Sequence, residues 1–337
     1  MAGLTDTAFR RLVKKNGGCG LVVSEMVSSE GLVRGIDRTL EYAEYTEEER
    51  PVAIQIFGAD PAKMAAAAQI VEDMGADVVD VNMGCPVPKV AKHAAGCALM
   101  RTPEHAATVV RSMTKALKIP VTVKMRAGWN DEEINAPLLA RMVEDAGASA
   151  VTVHGRTAAQ AYAGSSDWSL IGDVARSVTI PVFGSGDCVD ARQLVDRVEA
   201  AGVSGVLVGR GALRNPWIFR QAADLSGSGI AHEVTLAERG QFLLEYLELL
   251  LMERVDEAEG FRHTAPTSAA PQVTGERTAA VERGRERWVV NKLRALGSWY
   301  TKGLDNGSHL RTAINHAESV QHLRDIIQEF FFEAADA

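Results

Sequence analysis

The segment DVVDVNMGCPVPKV, residues 77–90, joins an apolar run to a turn that carries an amide, a glycine and a thiol. A strand that only filled a core would not need Asn82, Gly84 and Cys85 at its end. A lone cysteine is usually a small buried hydrophobic residue. This one precedes Pro86 in a turn after a predicted strand, and no histidine adjoins it in the sequence to make it a thiolate. A neutral thiol that donates a proton therefore suits Cys85 as well as a nucleophilic role does.

Further chemistry follows other apolar runs. Lys124 lies inside VTVKMR, where an ammonium group is costly to bury unless it faces an anion, although it could also extend to the rim of the fold. His154, in VHGRT, is either a hydrogen-bonded core histidine or a ligand contact. The turns GSGD and GRG permit close approach of backbone N–H groups to a phosphate, and Arg210 adds charge. Together these residues indicate a phosphate-bearing cofactor touched by Lys124, with a thiol on its other side.

The elements that would position these residues are short apolar strands separated by helices. Up to about Arg220, the predicted strands are GLVVSEMV, VAIQIFG, VVDVNMG, VTVKMR, AVTVHGR, IPVFGSG and GVLVGRG. Their near-continuous apolar character is typical of parallel strands covered on both faces. Helical patterns such as DPAKMAAAAQIVEDMGA lie between them, with Asp60 as the predicted N-cap and Pro61 at the first helical position.

Two arrangements fit seven such strands: an open doubly wound sheet, or a (β/α)8 TIM barrel that lacks a strand. Neither GSGDCV nor GRGALR completes the glycine fingerprint of a dinucleotide-binding open sheet. A barrel gathers the carboxyl ends of its strands at one face. Polar and glycine residues follow nearly every strand: Glu25, Gln55, Asn82, Cys85, Lys124, His154, Arg156, Ser185, Asp187, Gly209 and Arg210. We therefore predict an α/β fold with a TIM-barrel domain at residues 1–224.

After about residue 225 no strand pattern occurs, and helical patterns predict a small helical domain at residues 225–337. A flexible insertion is expected at about residues 257–281, because this stretch is poor in core residue types and rich in Ala, Thr and Pro. Residues 283–311 hold seven basic and two acidic side chains, with Trp288, Trp299 and Tyr300 among them. This segment is either a solvated helix face or a phosphate-binding surface.

Composition excludes several classes. The 337 residues carry a formal net charge of −8, which argues mildly against a protein coated in nucleic acid but allows a local basic patch. The four cysteines show no C-x-x-C spacing, so neither a disulfide framework nor a metal site is expected, and a reducing, cytoplasmic location is. No run approaches the ~18 apolar residues of a membrane span. We also expect no signal peptide and a monomeric protein.

The motifs MAGLTDTAFR, VNMGCPVPKV, VTVKMRAGW, HGRTAAQAYAG, GSGD and GRGA, in this order and spacing, closely resemble those of the tRNA-dihydrouridine synthases. The resemblance covers the barrel and continues into the helical region. It implies an FMN-binding barrel, a helical domain that binds tRNA, and NADPH as the electron donor. It also implies hydride transfer to C6 of a flipped-out uracil and protonation of C5 by a cysteine, which would be Cys85.

The same resemblance implies the remaining roles. Flavin contacts would come from Met1, Ala2, Gln55, Lys124, His154, Ser185, Gly186, Asp187, Gly209 and Arg210. Substrate contacts would come from Asn82 and Arg156, and more weakly from Lys92 and the adjacent His93.

Three departures from the family pattern qualify these expectations. The family's complete first strand ends in P-M-A-G, whereas this chain begins at the Met of that motif, so we expect the first barrel strand to be largely missing. Ser185 stands where the family usually has Asn, a change we expect to be tolerated if backbone N–H groups do most of the binding. The loop KHAAGCALM is less glycine-rich than usual, and its Cys97 lies off the motif, so it is not assigned the acid role.

Rival functions make different predictions. Another FMN barrel, of the dihydroorotate or dihydropyrimidine dehydrogenase type, would turn over a free base and have no use for the helical domain. A non-catalytic tRNA-binding protein would retain its function without Cys85. A degenerate enzyme without its first strand would bind no flavin.

Overall fold

The computed structural model describes residues 1, 3–252 and 279–333, excepting the side chains of residues 37, 38 and 279–283. Ala2, most of the predicted insertion at 257–281 and the Arg283 side chain therefore lie outside the described residues. The parallel strands are β1 (Val22–Val23), β2 (Val27–Ser28), β3 (Val52–Phe57), β4 (Val78–Met83), β5 (Val121–Arg126), β6 (Ala150–His154), β7 (Val182–Ser185) and β8 (Gly205–Val206).

The helices lie between and after the strands. They are α1 (Thr7–Asn16), α2 (Ser29–Val33), α3 (Asp37–Glu41), α4 (Pro61–Asp73), α5 (Pro88–Ala91), α6 (Pro103–Ala116), α7 (Ala136–Asp145), α8 (Trp168–Ser177), α9 (Ala191–Ala201), α10 (Arg210–Arg214), α11 (Ile218–Gly227), α12 (Leu236–Met252), α13 (Ala279–Tyr300), α14 (Gly307–His316) and α15 (Val320–Gln328). Short 3₁₀ turns occupy Glu47–Glu49 and Gly96–Arg101, and a π turn occupies Glu329–Glu333.

The sheet confirms the predicted α/β fold with seven parallel strand positions. β1 and β2 both pair with β3, so they are two pieces of one interrupted strand, and the order continues from β3 through β8. Within the described ranges no strand joins β8 to β1, and the sheet is open on that side, where the sequence predicted a missing strand.

Alternation along each strand separates the core from a polar interior. On β4, Val79 and Val81 are fully buried in the core between sheet and helices, whereas Asp80 and Asn82 point to the other face. Register then stacks these inward residues in three rows: Gln55, Asp80 and Thr122; Asn82, Lys124 and Thr152; Arg126, His154 and Ser185. The chemistry-bearing side chains are thus stacked inside the barrel up to its mouth.

Aspartate caps fix where several crossover helices begin. Asp60 accepts hydrogen bonds from the N–H groups of Ala62 and Lys63 at 2.9 and 3.0 Å, and Pro61 occupies the first turn, as predicted. Asp167 and Asp190 cap α8 and α9 in the same way. Such caps typically contribute about 1 kcal/mol each by satisfying donors that the first helical turn leaves unpaired.

A second core joins the helical region to the barrel. Phe9 of α1 packs edge-on against Phe242 and Tyr246 of α12, and Phe242 stacks on Tyr300 of α13 with ring centroids 5.6 Å apart. Asp6, which caps α1, also accepts hydrogen bonds from the Tyr246 hydroxyl and the Lys292 ammonium, both at 2.9 Å. The helices are therefore anchored to the segment that precedes α1.

The helical region contains one element that the sequence did not reveal. The described residues after 225 form helices with no strand, as predicted, but the sequence over α14 shows no clear helical pattern. It buries few large apolar side chains, chiefly Leu310 and Ile314, and starts after Asn306, whose φ of 57° is left-handed. This spacing is too sparse to show a periodic stripe. None of the described helices is long and apolar enough to cross a membrane.

Candidate active site

The turn after β4 holds Cys85 from three sides. The Asn82 Oδ1 atom accepts hydrogen bonds from the N–H groups of Gly84 (3.2 Å) and Cys85 (2.9 Å). Arg126 Nε donates to the Gly84 carbonyl at 2.8 Å, and the Cys97 N–H donates to the Cys85 carbonyl at 3.1 Å. Gly96 permits this close approach, because a Cβ there would lie 2.7 Å from the Cys85 oxygen. The half-buried Cys85 lines a cavity of about 1340 Å³ at the barrel mouth.

Lys124 lies beside this turn, paired in register with Asn82 on the neighbouring strand. Burial lowers the pKa of the Lys124 ammonium to about 8, although the nearby Asp80 opposes the shift. Among the described residues, none forms a hydrogen bond or an ion pair with the Lys124 Nζ atom. A cation that faces a cavity without a protein partner fits an anionic or strongly polar ligand.

Beneath the mouth, a row of hydrogen bonds runs across the barrel interior. Asn82 Nδ2 donates to Gln55 Oε1 at 2.7 Å, and Gln55 Nε2 donates to Asp80 Oδ2 at 2.7 Å. Thr122 Oγ1 donates to Asp80 Oδ1 at 2.6 Å. Burial raises the pKa of the Asp80 carboxyl, while these two donors and Lys124 act in the opposite direction. The resemblance assigned Gln55 to the flavin and Asn82 to the substrate, but their side chains are hydrogen-bonded to each other.

The turns after β6 and β7 are joined by an ion pair between the buried Arg156 and the half-buried Asp187. Arg156 is 2% exposed and donates to both carboxylate oxygens of Asp187 at 2.8 Å, and further to the carbonyls of Ala163 and Gly164. Burial alone would raise the pKa of Asp187. The Ser166 N–H and the Arg156 guanidinium outweigh it and hold that pKa below its usual value. Arg156 is therefore occupied by protein groups behind the cavity wall.

His154 is a neutral group in this environment. Burial, together with the positive charges of Lys124, Arg126 and Arg156, lowers the pKa of His154 to about 3. Arg156 Nη1 lies 3.2 Å from His154 Nε2. Since a guanidinium can only donate, Nε2 accepts and the ring proton resides on Nδ1. His154 can offer a ligand a neutral hydrogen-bond donor but no acidic proton near pH 7.

An exposed aromatic ring stands at the mouth. Tyr162 is 61% exposed, with the guanidinium of Arg210 4.9 Å from its ring centroid and that of Arg126 at 5.8 Å. Arg210 also lies 3.7 Å from Asp187. Exposing a ring between two cations leaves a flat, positively flanked surface on which a nucleobase can stack.

Most of the residues singled out in the sequence meet at this one cavity. Its lining includes Met1, Gln55, Asn82, Cys85, Lys124, His154, Ser185, Gly186, Asp187, Gly209 and Arg210. Arg156 and Lys92 do not line it: Arg156 lies behind its wall and Lys92 is exposed at the end of α5. Ala2 is outside the described residues.

Sequence reasoning missed several residues that the structure brings to the site. Asp80 and Arg126 each lie two positions from a residue already singled out, so strand alternation could have revealed both. Tyr162 lies in a loop, where no such alternation could have revealed it. Trp299 and Lys302 belong to the basic segment at residues 283–311 that the sequence singled out, and with Arg214 of α10 they also line the cavity, where only tertiary packing places them.

The Arg156–Asp187 pair yields a stability prediction. Asp187→Asn keeps the shape at a left-handed position (φ 53°) that Asn tolerates, but removes the charge from a buried guanidinium. We expect the free energy of unfolding at pH 7 to fall by about 2 kcal/mol in denaturant titrations. Because the folded pKa of Asp187 is lowered, the wild-type advantage should be present above about pH 4 and shrink as the pH falls further.

Asp173→Asn is the matched control. Asp173 forms an exposed pair with Arg176, with side chains 55% and 67% exposed. It should change the free energy of unfolding by less than about 0.5 kcal/mol. Equal effects of the two variants would contradict a structural role for the Arg156–Asp187 pair.

The comparisons with known proteins point in one direction. Residues 1–335 match the family model described as dihydrouridine synthase (Dus). A probable tRNA-dihydrouridine synthase of Rickettsia bellii (strain RML369-C) is 37% identical over 334 residues, covering 98% of this chain and 93% of the relative. The tRNA-dihydrouridine synthase B of Xanthomonas axonopodis pv. citri (strain 306) is 38% identical over 251 residues, covering 74% and 75%. Among solved structures, histamine dehydrogenase from Rhizobium sp. 4-9 aligns with 71% of this chain and 46% of its own, at 12% identity and a TM-score of 0.49.

Proposed function

Since this chain belongs to the dihydrouridine synthase family, we propose that it reduces a specific uridine of tRNA to 5,6-dihydrouridine, with FMN as its flavin and NADPH as the electron donor. It is a flavin-dependent oxidoreductase whose substrate is tRNA. The observation that carries the proposal is the convergence of Cys85 and Lys124 on one cavity, from neighbouring strands.

The residues at the mouth fit a phosphate-bearing flavin. Lys124 offers a cation without a protein partner among the described residues, and Arg210, which lies 3.7 Å from Asp187, adds a second positive charge at the cavity wall. Gly209 keeps the wall open, since a Cβ there would lie 3.2 Å from the Met1 sulfur. The cavity, at about 1340 Å³, also leaves room for a base beside a cofactor. Ser185, Gly186 and Asp187 form the adjoining wall, where Gly186 has a φ of 123°.

When bound, the flavin would supply the hydride that adds to C6 of the uracil. Cys85 would hold a proton on Sγ and transfer it to C5. Asn82 fixes the turn that carries this thiol, and His154, neutral near pH 7, would donate only a hydrogen bond. Lys124 would stabilise negative charge on the reduced ring system.

The substrate side is proposed from exposure and charge. Tyr162, with the Arg210 guanidinium 4.9 Å from its ring centroid, presents a surface for a base that has left the tRNA stack. Arg156 is proposed to act on the substrate side through the wall that it forms with Asp187, and Lys92 through an exposed contact with tRNA.

Residues 225–337 are proposed as the tRNA-binding domain, beside a flavin-binding domain at residues 1–224. The ammonium of Lys302 lies 3.9 Å from the centroid of the Trp299 ring, and both residues border the cavity. Arg214 donates to the Lys302 carbonyl at 3.1 Å and adds a second cation there. Such cations at the junction of helices and barrel mouth suit the phosphates flanking an extruded uridine.

The test incubates the purified chain with FMN, NADPH and an unmodified tRNA transcript under anaerobic conditions. We expect nucleoside mass spectrometry to show uridine converted to a product heavier by two hydrogen atoms. Replacing the tRNA with uracil, uridine or dihydroorotate is the control for the free-base oxidoreductase. Turnover of the free base alone, or tRNA binding without the product, would contradict the proposal and favour the respective rival.

A further inference from the structure

We propose that Asp80 is a positioning residue that fixes the orientation of the Asn82 amide and, through it, the turn that carries Cys85. This inference rests on the proposed function for the role of Cys85, but the hydrogen bonds that carry it are independent of the substrate. Asp80 does not hydrogen-bond to the Cys85 turn; Gln55 and Asn82 lie between them.

Hydrogen bonds link the Cys85 turn through Asn82 and Gln55 to Asp80, and their donor–acceptor direction is fixed at the end next to Cys85. The N–H groups of Gly84 and Cys85 can only donate, so the Asn82 atom that faces them must be its oxygen. The Asn82 amide nitrogen must then point to Gln55, whose oxygen accepts it at 2.7 Å. Gln55 consequently turns its own nitrogen toward Asp80.

The donor–acceptor direction of these hydrogen bonds is fixed again at the Asp80 end. Asp80 Oδ2 accepts from Gln55, and it can do so whether the carboxyl is ionised or protonated on Oδ1. An amide in place of Asp80 can instead present its nitrogen to Gln55. Gln55 would then reverse, and Asn82 would have to turn its nitrogen toward two backbone donors, which is repulsive. Asp80 therefore excludes the orientation of Asn82 that releases the turn.

The placement of Asp80 suits this role better than a packing role. It is 5% exposed, in the row directly below Asn82 and Lys124, and both of its oxygens accept hydrogen bonds. Burying a carboxyl group is costly, and an apolar side chain would fill the same space at lower cost. The Asp80 carboxyl instead begins a series of hydrogen bonds that runs through the Gln55 and Asn82 amides to the Cys85 turn. We therefore assign it the role of orienting those amides.

The first test is a double-mutant cycle on the rate of dihydrouridine formation. Asp80→Asn is expected to lower kcat by about 10²-fold, the size of effect that a small misplacement of a reacting group produces. In the Asn82→Ala background the same substitution should lower kcat by less than about threefold, because the residue through which it acts is already gone. If the kcat loss of the double variant equalled the product of the losses of the two single variants, the proposal would be overturned.

The second test does not depend on activity. Iodoacetamide labelling, followed by peptide mass spectrometry, reports each cysteine separately. Releasing the turn by Asp80→Asn should raise the labelling rate of Cys85 roughly fivefold, as expected for the loss of one hydrogen bond. Cys19, also half-buried, and the buried Cys188 are internal references and should not change. A rise at all three would mean general destabilisation and would overturn the proposal, as would an unchanged Cys85.

Asp77→Asn is the matched control variant. Asp77 precedes the same strand at the opposite end of the barrel and accepts from the Val52 N–H and from Arg50. It should lower thermal stability without altering the relative labelling of Cys85. A wild-type chain that forms no dihydrouridine would contradict the proposed function but leave the labelling test intact. An active wild type with no labelling change in Asp80→Asn would contradict the positioning role alone.

Discussion

A Cys85→Ala variant is expected to retain its flavin and to form dihydrouridine about 10²–10⁴-fold more slowly, the range in which a positioned acid contributes. The thiol lines the cavity, and the turn around it is held by contacts from Asn82 and Arg126 that do not involve the sulfur. The substitution should therefore remove the proton donor without disturbing the cavity. Single-turnover measurements with pre-reduced enzyme and tRNA would isolate this step.

Cys97→Ala provides the control for that variant. Cys97 is 1% exposed, lies outside the cavity lining and donates a hydrogen bond to the Cys85 turn from its backbone N–H, which the substitution keeps. It should keep a rate within a few-fold of the wild type. If Cys85→Ala were as active as Cys97→Ala, Cys85 would not be the acid.

Lys124→Met is expected to weaken FMN binding by about 10–10²-fold, the equivalent of one charge-assisted hydrogen bond. Methionine preserves most of the length and apolar stem, so that the loss would reflect the charge. Flavin fluorescence titrations would measure the affinity. Lys115→Met, an exposed change on α6, should leave it unaltered.

The pH dependence provides a sharper form of this test. The pKa of Lys124 is lowered to about 8, so the ammonium is present below that pH and is lost as the pH rises through it. Wild-type FMN affinity should thus decline above about pH 8, whereas Lys124→Met should be flat over the same interval. Asp80 and Arg126 act on the pKa of Lys124, and Lys124 in turn lowers the pKa of His154 and of the Met1 amino group. A parallel decline in both proteins would assign the effect to a group other than Lys124.

Hydrophobic patterning and residue type were enough to predict the strands and the positions of Lys124 and Cys85 at strand ends. VTVKMR predicted both β5 and the placement of Lys124, because Val121, Thr122 and Val123 favour a strand and Lys124 follows them near its end. VNMGCP likewise placed Cys85 at a strand end. These are local properties, and the barrel topology then brings the strand ends together.

The partners of those residues could not be read from the sequence. Arg156 was predicted to contact the substrate, yet it is bonded to a carboxylate that lies 31 positions further along the chain. Asp80 was not among the residues singled out in the sequence, and its hydrogen bonding depends on Gln55 from another strand. Hydrogen bonds between side chains depend on three-dimensional register, which one-dimensional spacing does not contain.

The core that α1 shares with α12 and α13 has a consequence for how the molecule unfolds. Phe9, Phe242 and Tyr300 belong to one apolar cluster, and Asp6 binds Lys292 at its edge. The helices therefore cannot detach without exposing α1, and the segment bearing Met1 would lose its anchor at the same time. Native-state hydrogen exchange should consequently show α1, α12 and α13 opening as one cooperative unit, with the cavity wall at Gly209 sharing their protection.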